Sequence, residues 1–345
     1  METTRDRILG LTLEALGGRV QALGMPKFRA AQIFEWIFQK RATSFEEMTN
    51  LSKDDRLRLA ERFTIFTSRI ARRLTSADAT EKVLLAWPGA DLEGENTDAA
   101  SECVMIPCDD DHCDTYGNTM LSHRRTACLS TQIGCPVGCA FCASGLEGLK
   151  GNLTVGQVVE QALRLTHQLP REGAGHRLTN VVFMGMGEPL ANFAVTTAAL
   201  KVLMAPWAFH ISGRKITVST VGLPPQMKRF ADLGLPVTLA ISLHAPNDAL
   251  RRKIIPWARQ ITIEQIVEAG RYYFEKTGRE VTLEYIMLDG PEGGVNSLPE
   301  HARELAGVAK RLRANVNLIY YNEVPELPFK RPSGQVMFTF QNTLR

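Results

Sequence analysis

After residue 125 the sequence alternates between short β-branched runs and longer amphipathic helical patterns. The strand-like runs lie at residues 180–184, 215–220, 236–243, 280–287 and 315–320. Helical patterns occupy gaps between them, at residues 154–168, 264–276 and 299–312. Because such alternation joins parallel strands through crossover helices, we expect an α/β fold. The pattern alone leaves open whether the sheet is open or closed into a barrel.

The first 64 residues carry helical patterns instead. Residues 29–40 place four apolar side chains on one helical face: Ile33, Phe34, Ile37 and Phe38. Ser44 and Glu47 have the spacing of a capping box, which predicts a short helix. Residues 51–63 form a further amphipathic pattern that predicts Leu57, Leu59 and Phe63 to point inward. We therefore predict a small helical N-terminal domain at residues 1–64.

Residues 65–124 differ from both flanking regions. Strand-like runs occur at residues 82–87 and 103–106, with a polar loop predicted at 89–99. A polar insert with an acidic cluster follows at residues 108–123. We interpret this region as a β-rich connector, so that the third domain spans residues 125–345.

Composition excludes some classes of protein. Hydrophobic residues make up 44% of the 345 residues and charged residues 22%, which is typical of a globular protein and not of a disordered one. A net charge of +3 permits nucleic-acid binding without requiring it. The first ten residues carry charges and no apolar run, and no stretch approaches the roughly 18 apolar residues of a membrane span. We therefore expect a cytoplasmic protein.

All seven cysteines fall between Cys103 and Cys142. In a reducing compartment, such crowding of an odd number of thiols favours metal or redox chemistry over disulfides. Three of them, Cys135, Cys139 and Cys142, share one short loop with C-x₃-C-x₂-C spacing. Thiolates are the usual ligands of iron–sulfur clusters, and three of them leave one iron of a four-iron cluster open to a substrate. A zinc loop and buried structural thiols are the alternatives, although zinc prefers four ligands in paired knuckles and none is obvious here.

The cysteine loop, with Phe141 before its last cysteine, resembles the signature of the radical S-adenosylmethionine (SAM) superfamily. The segment Gly185-Met-Gly-Glu-Pro189 resembles the GGEP motif of that superfamily. Residues 128–135, 184–190, 242–248 and 317–322 are similar to the RlmN/Cfr family of RNA methyltransferases, and RlmN is the more similar branch. Residues 28–34 and 45–53 resemble the RNA-binding N-terminal domain of the same family, so the resemblance runs from about residue 5 to residue 345.

This resemblance implies a partial (β/α)6 barrel with two cofactors, a [4Fe–4S] cluster and SAM. It implies that Cys135, Cys139 and Cys142 bind the cluster. The residues implied to contact SAM are Gly187, Glu188, Ser219, Ser242, Leu243, His244 and Asn322. They follow successive predicted strands, and α/β folds gather their sites at the carboxyl ends of strands. Taken singly, Glu188 could equally be a helix N-terminal charge, His244 a buried core imidazole and Ser219 a helix cap.

Two further residues are implied to act on the substrate. In the family, the cysteine at the position of Cys128 takes a proton from the methylated adenine and resolves a protein–RNA crosslink. Glu102 lies in a segment similar to one whose glutamate accepts a proton in the family. Without the resemblance, Cys128 would be interpreted as a small buried strand residue.

The implied reaction is methylation of carbon 2 of adenosine. The implied substrates are an adenosine in the peptidyl-transferase centre of 23S rRNA and the adenosine next to the anticodon in some tRNAs. Arginine-containing runs are candidate phosphate contacts: Arg72–Arg73, Arg124–Arg125 and Arg251–Lys253. We further expect a separate electron donor and a monomeric protein.

The family mechanism also uses a second cysteine near the C-terminus, and no cysteine follows Cys142. Three explanations are open. The sequence is a piece of a longer chain, or the protein is a natural relative that binds RNA and cleaves SAM without completing methyl transfer, or one of Cys103, Cys108 and Cys113 replaces the absent thiol. The first two are favoured, because a relocated thiol would need the same geometry within about 0.5 Å.

Overall fold

The computed structural model describes residues 5–87, 99–113, 119–291 and 293–345. The loop predicted at residues 89–99 therefore lies, except for Ala99, outside the described residues. By its internal contacts the chain divides into two compact units. The first unit comprises Met1–Ile133, Gly151–Met186 and Ala194–Lys215, and the second comprises Gly134–Lys150, Gly187–Phe193 and Ile216–Arg345.

The helices of the first unit begin at the N-terminus, as predicted. They are α1 (Leu13–Ala22), α2 (Arg29–Phe34), α3 (Lys53–Arg62), α4 (Val155–Thr166) and α5 (Phe193–Met204). The α2 helix continues as a π-helical turn at Glu35–Gln39, and Ser44 and Glu47 form the expected capping box around a 3₁₀ turn at Phe45–Glu47. The four apolar residues predicted on one face of residues 29–40 are all buried.

One inward prediction in α3 is wrong. Leu59 and Phe63 are buried, but Leu57 is 61% exposed. Residues two positions apart point to opposite sides of an α-helix, so Leu57 and Leu59 cannot both face the core. The core of these first helices is completed from far along the chain, by Val159 and Leu163 of α4 and by residues 202 and 208.

The buried carboxylate of Glu160 binds the segment at Thr67 and Ser68, which leads into the first strand of the sheet. Glu160 of α4 is 1% exposed and accepts from the backbone N–H groups of Thr67 at 2.9 Å and Ser68 at 2.7 Å. The hydroxyl groups of the same two residues also donate to it. Because every carboxylate oxygen has donors, Glu160 can be buried without an unsatisfied charge.

The sheet of the first unit consists of β1 (Arg69–Thr75), β2 (Glu81–Ala86), β3 (Ala100–Cys113), β4 (Thr119–Cys128) and β5 (Asn180–Phe183). Its order is β5-β4-β3-β2-β1, in which β4 and β5 run parallel and the other pairs antiparallel. The strand predicted at 103–106 is longer than expected, because the polar insert continues the β3–β4 hairpin. Cross-strand charge pairing supports it: Asp109 lies 2.8 Å from Arg125 and 2.9 Å from His123.

The second unit contains four parallel strands in the order β6 (Ile216–Thr220), β7 (Thr238–Ser242), β8 (Thr282–Met287) and β9 (Asn315–Tyr320). Its helices are α6 (Pro224–Asp232), α7 (Asp248–Ile254), α8 (Ile263–Thr277), α9 (Pro299–Leu312) and α10 (Gly334–Leu344). Both α9 and β9 have the predicted bounds. The prediction of an α/β fold with a helical N-terminal part is confirmed.

Shorter elements complete the chain. Short strands occupy Asp6–Arg7, Phe63–Thr64, Gln132–Gly134, Leu149–Asn152, Asp289–Gly290 and Gly293–Gly294. The remaining 3₁₀ turns lie at Ile8–Gly10, Ala143–Gly145, Gly213–Lys215 and Pro256–Arg259. Within the described ranges, no helix combines the length and the apolar character that crossing a membrane requires.

Candidate active site

The three-cysteine loop lies in the second unit and is held by backbone hydrogen bonds. The N–H of Cys135 donates to the carbonyl of Gly148 at 3.0 Å, and that of Ala140 donates to Ile254 at 2.9 Å. A turn closes between Cys142 and the carbonyl of Cys139 at 3.1 Å. These bonds fix the loop at both ends and in the middle, so its thiols are positioned before any ligand binds.

The loop packs against the carboxyl ends of the parallel strands. The three cysteines, Val137 and Phe141 share one apolar cluster with residues that follow β6, β7, β8 and β9: Val221, Ala245, Leu288 and Tyr321. Because parallel strands end at one edge, this packing brings the cysteine loop to the edge where the SAM contacts were predicted.

The thiols suit an iron–sulfur cluster. Burial raises the pKa of Cys135 to about 11, although the N–H groups of Val137 and Gly138 stabilise its thiolate. Burial also raises the pKa of Cys139, and the Cys142 and Cys135 thiols raise it further. Among the described residues, no three His, Cys, Asp or Glu side chains converge as one metal ion requires. A multi-iron cluster needs no such convergence, since each thiolate binds a different iron, and the three-thiol donor set fits it.

Arg251 lies at the centre of this region and was predicted wrongly. Its side chain is 1% exposed, and its guanidinium donates to the carbonyls of Leu243 and Val221. Burial lowers its pKa to about 10, and the neighbouring Cys139 acts in the opposite direction. A side chain this buried cannot meet RNA phosphates. Instead, Arg251 ties the loops after β6 and β7 together beside the cysteine loop.

The Gly185–Pro189 motif forms a tight turn that depends on both of its glycines. A Cβ at Gly185 would lie 2.6 Å from the Ser130 hydroxyl, and Gly187 has φ +100°, a conformation that other residues rarely adopt. Glu188, 3% exposed, accepts from Val221 N–H at 2.7 Å and Leu190 N–H at 2.9 Å. Burial raises its pKa to about 7. The carboxylate is therefore a buried acceptor within the second unit and not a helix N-terminal charge, since α5 begins only at Phe193.

The other predicted SAM contacts also follow strands of this unit. Ser219 and Ser242 lie half-buried near the ends of β6 and β7, and Asn322 is exposed just after β9. Leu243 is fully buried, and its carbonyl already accepts from Arg251. The structure thus brings these residues to one edge, but Leu243 offers no exposed side-chain surface.

His244 has the environment of a neutral core imidazole. It is 8% exposed, has φ +59°, and its Nδ1 accepts from the Ile286 N–H at 3.1 Å. Burial lowers its pKa to about 3. Its ring makes an edge contact with Phe141 of the cysteine loop, with 5.0 Å between centroids. His244 therefore supports the loop that carries the thiols.

Cys128 and Glu102 lie in the first unit, on neighbouring strands. Cys128 ends β4 opposite Val104 of β3, and Glu102 lies two residues from Val104 on the same face. Such diagonal neighbours lie about 7–8 Å apart, and their Cβ atoms are somewhat closer. Burial raises the pKa of Cys128 to about 11, and the nearby Glu102 contributes in the same direction. The β3–β4 hairpin therefore brings together two residues that are distant in sequence.

Sequence reasoning missed two residues of these sites. Lys82 of β2 lies 3.0 Å from the Glu102 carboxylate, and it opposes the rise in the pKa of Cys128. Its only sequence signal was a cation in a strand-like run. Arg251 was noticed, but a run of three cations after β7 suggested a surface and not a buried link.

The candidate replacement thiols have different surroundings. Cys103 is fully buried on β3, and burial raises its pKa, with Cys128 adding to the effect. Cys108 is half-buried farther along the hairpin, and the side chain of Cys113 lies outside the described residues. Cys103, Cys128, Cys135, Cys139 and Cys142 are free thiols.

Comparison with known families agrees with this arrangement. The radical SAM superfamily model matches residues 129–292, and the model of the ribosomal RNA large subunit methyltransferase N-terminal domain matches residues 7–65. The second match covers the helical N-terminal region. The first begins just after Cys128 and includes the cysteine loop and the Gly185–Pro189 turn.

Similar full-length proteins are found in several bacteria. The probable dual-specificity RNA methyltransferase RlmN of Rhodopirellula baltica is 42% identical over 340 residues, which cover 99% of this chain and 84% of that protein. The corresponding Bacillus subtilis protein is 39% identical over 345 residues, covering 100% and 88%. The crystal structure of a radical SAM methyltransferase from Sphaerobacter thermophilus has a TM-score of 0.86 and 37% identity, covering 98% and 91%. The chain belongs to the RlmN family of radical SAM enzymes.

Proposed function

We propose that this protein methylates carbon 2 of an adenosine in 23S rRNA, and of the adenosine next to the anticodon in some tRNAs. The observation that carries the proposal is the cysteine loop, packed beside Glu188 and the carboxyl ends of β6, β7 and β9. Relatives that match nearly the whole chain are named dual-specificity RNA methyltransferases.

In this proposal Cys135, Cys139 and Cys142 hold a [4Fe–4S] cluster, and Gly187, Glu188, Ser219, Ser242, Leu243, His244 and Asn322 form the SAM site. The cluster and SAM, when bound, supply one-electron reduction and radical chemistry. The protein binds and orients them and excludes water. The apolar residues around the thiols support this role, because they remove solvent from the reacting groups.

Glu188 is suited to bind the SAM ammonium. Its oxygens are oriented by the N–H groups of Val221 and Leu190, which fix the carboxylate before SAM arrives. Its raised pKa reflects the burial of the carboxylate. The SAM ammonium would place a positive charge beside this carboxylate. Leu243 and His244 would then contribute through backbone position and packing.

Cys128 and Glu102 are proposed to handle the proton on the RNA base. With a pKa near 11, the Cys128 thiol is protonated at neutral pH and needs an acceptor before it can act as a base. Glu102 is the carboxylate on the same face, oriented by Lys82. Residues 1–64 are proposed as the RNA-binding domain. A monomeric cytoplasmic enzyme that takes its electron from a separate reductant remains our prediction.

The experiment is anaerobic purification and cluster reconstitution, followed by incubation with SAM, reductant and an unmodified rRNA fragment. Mass spectrometry of digested RNA then measures 2-methyladenosine, and 5′-deoxyadenosine is measured in parallel. We expect both products from the wild type and neither from Cys139→Ala, which also loses iron. Cys108→Ala, a cysteine outside the loop, is the matched control and should keep its iron.

Formation of 5′-deoxyadenosine without 2-methyladenosine would contradict methyl transfer and favour a relative that only cleaves SAM. Absence of both products and of bound iron would contradict the whole proposal.

A further inference from the structure

Two adjoining cavities lie on the first unit, away from Cys128. One has a volume of about 370 Å³ and the other about 580 Å³. They share Arg177, Leu178, Phe209 and His210, so they form one continuous depression. We call this depression the basic groove and define it by its exposed cations and its aromatic floor. The cations are Arg124, Arg171, Arg177 and Lys215, which lie beside the exposed His176 and His210, and the floor is Phe38, Trp207 and Phe209.

The cations of the groove are only partly neutralised by the described part of the chain, where Glu47 interacts with Arg171. The one acidic residue in its lining, Glu35, pairs with Lys40 at 3.1 Å. His123, also in the lining, pairs with Asp109, which is engaged with Arg125 as well. Among the described residues, no carboxylate lies within ion-pair distance of Arg171, Arg177 or Lys215. The groove therefore presents positive charge that an anion can bind.

Two buried side chains beneath the groove, Arg41 and His167, have pKa values that burial and the surrounding positive charge lower. Arg41 is 5% exposed and donates to the carbonyls of Leu169 and His176. Its pKa is lowered by burial and then by the neighbouring Arg171. Burial also lowers the pKa of His167 to about 4, with Arg171 and Arg41 as further causes. Glu47 acts on His167 in the opposite direction, so its carboxylate partly offsets these cations. Cations this close together are stabilised further when an anion binds beside them.

The floor of the groove is aromatic. Trp207 stacks on the buried Phe34 with 4.6 Å between ring centroids, and Phe38 makes an edge contact with Phe209 at 5.2 Å. Trp207 and Phe209 are partly exposed, so ring surface remains open to a ligand. Guanidinium groups beside exposed rings suit nucleic acid, because phosphates bind the cations and unpaired bases stack on the rings. An acidic peptide would use the cations but not the rings.

The groove is displaced from Cys128 along the strands, towards the amino end of β5. Arg124 and Cys128 are both on β4, four residues apart, which corresponds to about 13 Å along a strand. The groove also contains Thr179 and Asn180, at the amino end of β5. An RNA segment bound there is therefore different from the nucleotide that reacts at Cys128.

We propose that the basic groove binds the phosphates and an unpaired base of an RNA segment other than the modified nucleotide. The groove thereby acts as a second anchor for the substrate. This inference rests on the proposed function, because it takes RNA to be the substrate.

The test uses the reconstituted full-length protein with Arg171→Glu and Arg177→Glu combined. The probe is a fluorescein-labelled, unmodified rRNA stem-loop that contains the target adenosine, and its Kd is measured by anisotropy at several salt concentrations. We expect at least tenfold weaker binding and a log Kd–log salt slope lower by about two, one for each lost phosphate contact. RNA-independent SAM cleavage should stay at the wild-type rate, because the groove holds no cofactor ligand.

The matched control is Arg303→Glu with Lys310→Glu, an equal change of charge on the exposed face of α9. It should bind the probe within about twofold of wild type. If both double variants lose the same amount of RNA affinity, the loss is a general effect of charge and the proposal that the groove binds RNA is wrong. If the groove variant binds the probe as tightly as the wild type, and the wild type methylates RNA, the proposal that the groove binds RNA is wrong and the proposed function stands. A wild type that neither binds nor methylates the RNA would overturn both.

Discussion

The cysteine loop of the second unit and the β3–β4 hairpin of the first unit hold their thiols in different ways. In the loop, backbone hydrogen bonds and the buried Arg251 fix three thiols inside an apolar cluster. In the hairpin, strand register places Cys128 beside Glu102, and the supporting Lys82 is 47% exposed. The loop therefore holds partly exposed thiols rigidly, whereas the hairpin buries the Cys128 thiol beside a carboxylate and an ammonium that reach solvent. This difference predicts that a substitution in one region impairs the function of that region and leaves the other region intact.

Among the variants described here, Cys128→Ala should show the largest difference between its iron content and its RNA methylation. This variant should keep its iron and its SAM cleavage, because no bond of the loop involves Cys128. Its yield of 2-methyladenosine should fall by about 10²–10⁴-fold, the usual contribution of a positioned proton-transfer group. Iron analysis and nucleoside mass spectrometry measure the two effects. Loss of iron to the level of Cys139→Ala would mean that the regions are not separate.

Arg251→Met should destabilise the second unit by about 4 kcal/mol, because it leaves the buried carbonyls of Leu243 and Val221 without a donor. Urea denaturation measures the loss, and iron content should fall with it. Arg252→Met, the exposed neighbour, is the control and should change stability by less than about 0.5 kcal/mol. Equal stabilities of the two variants would show that the loop does not depend on Arg251.

Glu188 should make the stability of the SAM-free protein decrease as the pH rises. Its pKa is raised from 4.5 to about 7, so between these values the folded protein holds a proton that the unfolded chain has lost. Stability is therefore greatest below the unfolded pKa and decreases by up to about 3 kcal/mol as the pH passes through 7. The free energy of unfolding is measured against pH for the wild type and for Glu188→Gln, and the difference between the two curves gives the contribution of Glu188. Parallel curves from pH 5 to 8 would contradict the raised pKa of Glu188.

Lys82→Met should have the smallest effect. The Lys82–Glu102 pair is largely exposed, and such pairs contribute about 0.2–1 kcal/mol. Methylation should therefore fall by no more than about fivefold, and Lys82→Arg should restore it. Initial rates at saturating RNA provide the measurement. A loss beyond a hundredfold would make Lys82 part of the chemistry and remove the contrast between the rigid loop and the hairpin.

Local patterns predicted much of the fold. The bounds of α9 and β9 are as predicted because each has a clear periodicity and flanking signals. Leu57 was placed wrongly because two leucines two positions apart cannot share a helix face. The length of β3 was missed because a polar segment forms a strand only through partners, such as Arg125 for Asp109, that lie across the hairpin.

The site was predictable where its residues share a motif or follow a strand. The cysteine loop, Gly187 and Glu188 belong to compact segments that can be recognised in the sequence. Lys82 and Arg251 could not be assigned in this way, because their roles depend on which strand or loop carbonyl lies next to them. The same is true of the basic groove, whose aromatic floor combines Phe38 with residues 207 and 209.

Glu160 has a consequence for synthesis of the protein on the ribosome. The N–H and O–H groups of Thr67 and Ser68 reach their acceptor only after more than ninety further residues have been made. At about 5–20 residues per second, that interval is roughly 5–20 seconds. Val159 and Leu163, which complete the N-terminal core, arrive at about the same time. The nascent N-terminal helices therefore wait with apolar surface uncovered, and chaperones that bind such surface have their longest opportunity in this interval.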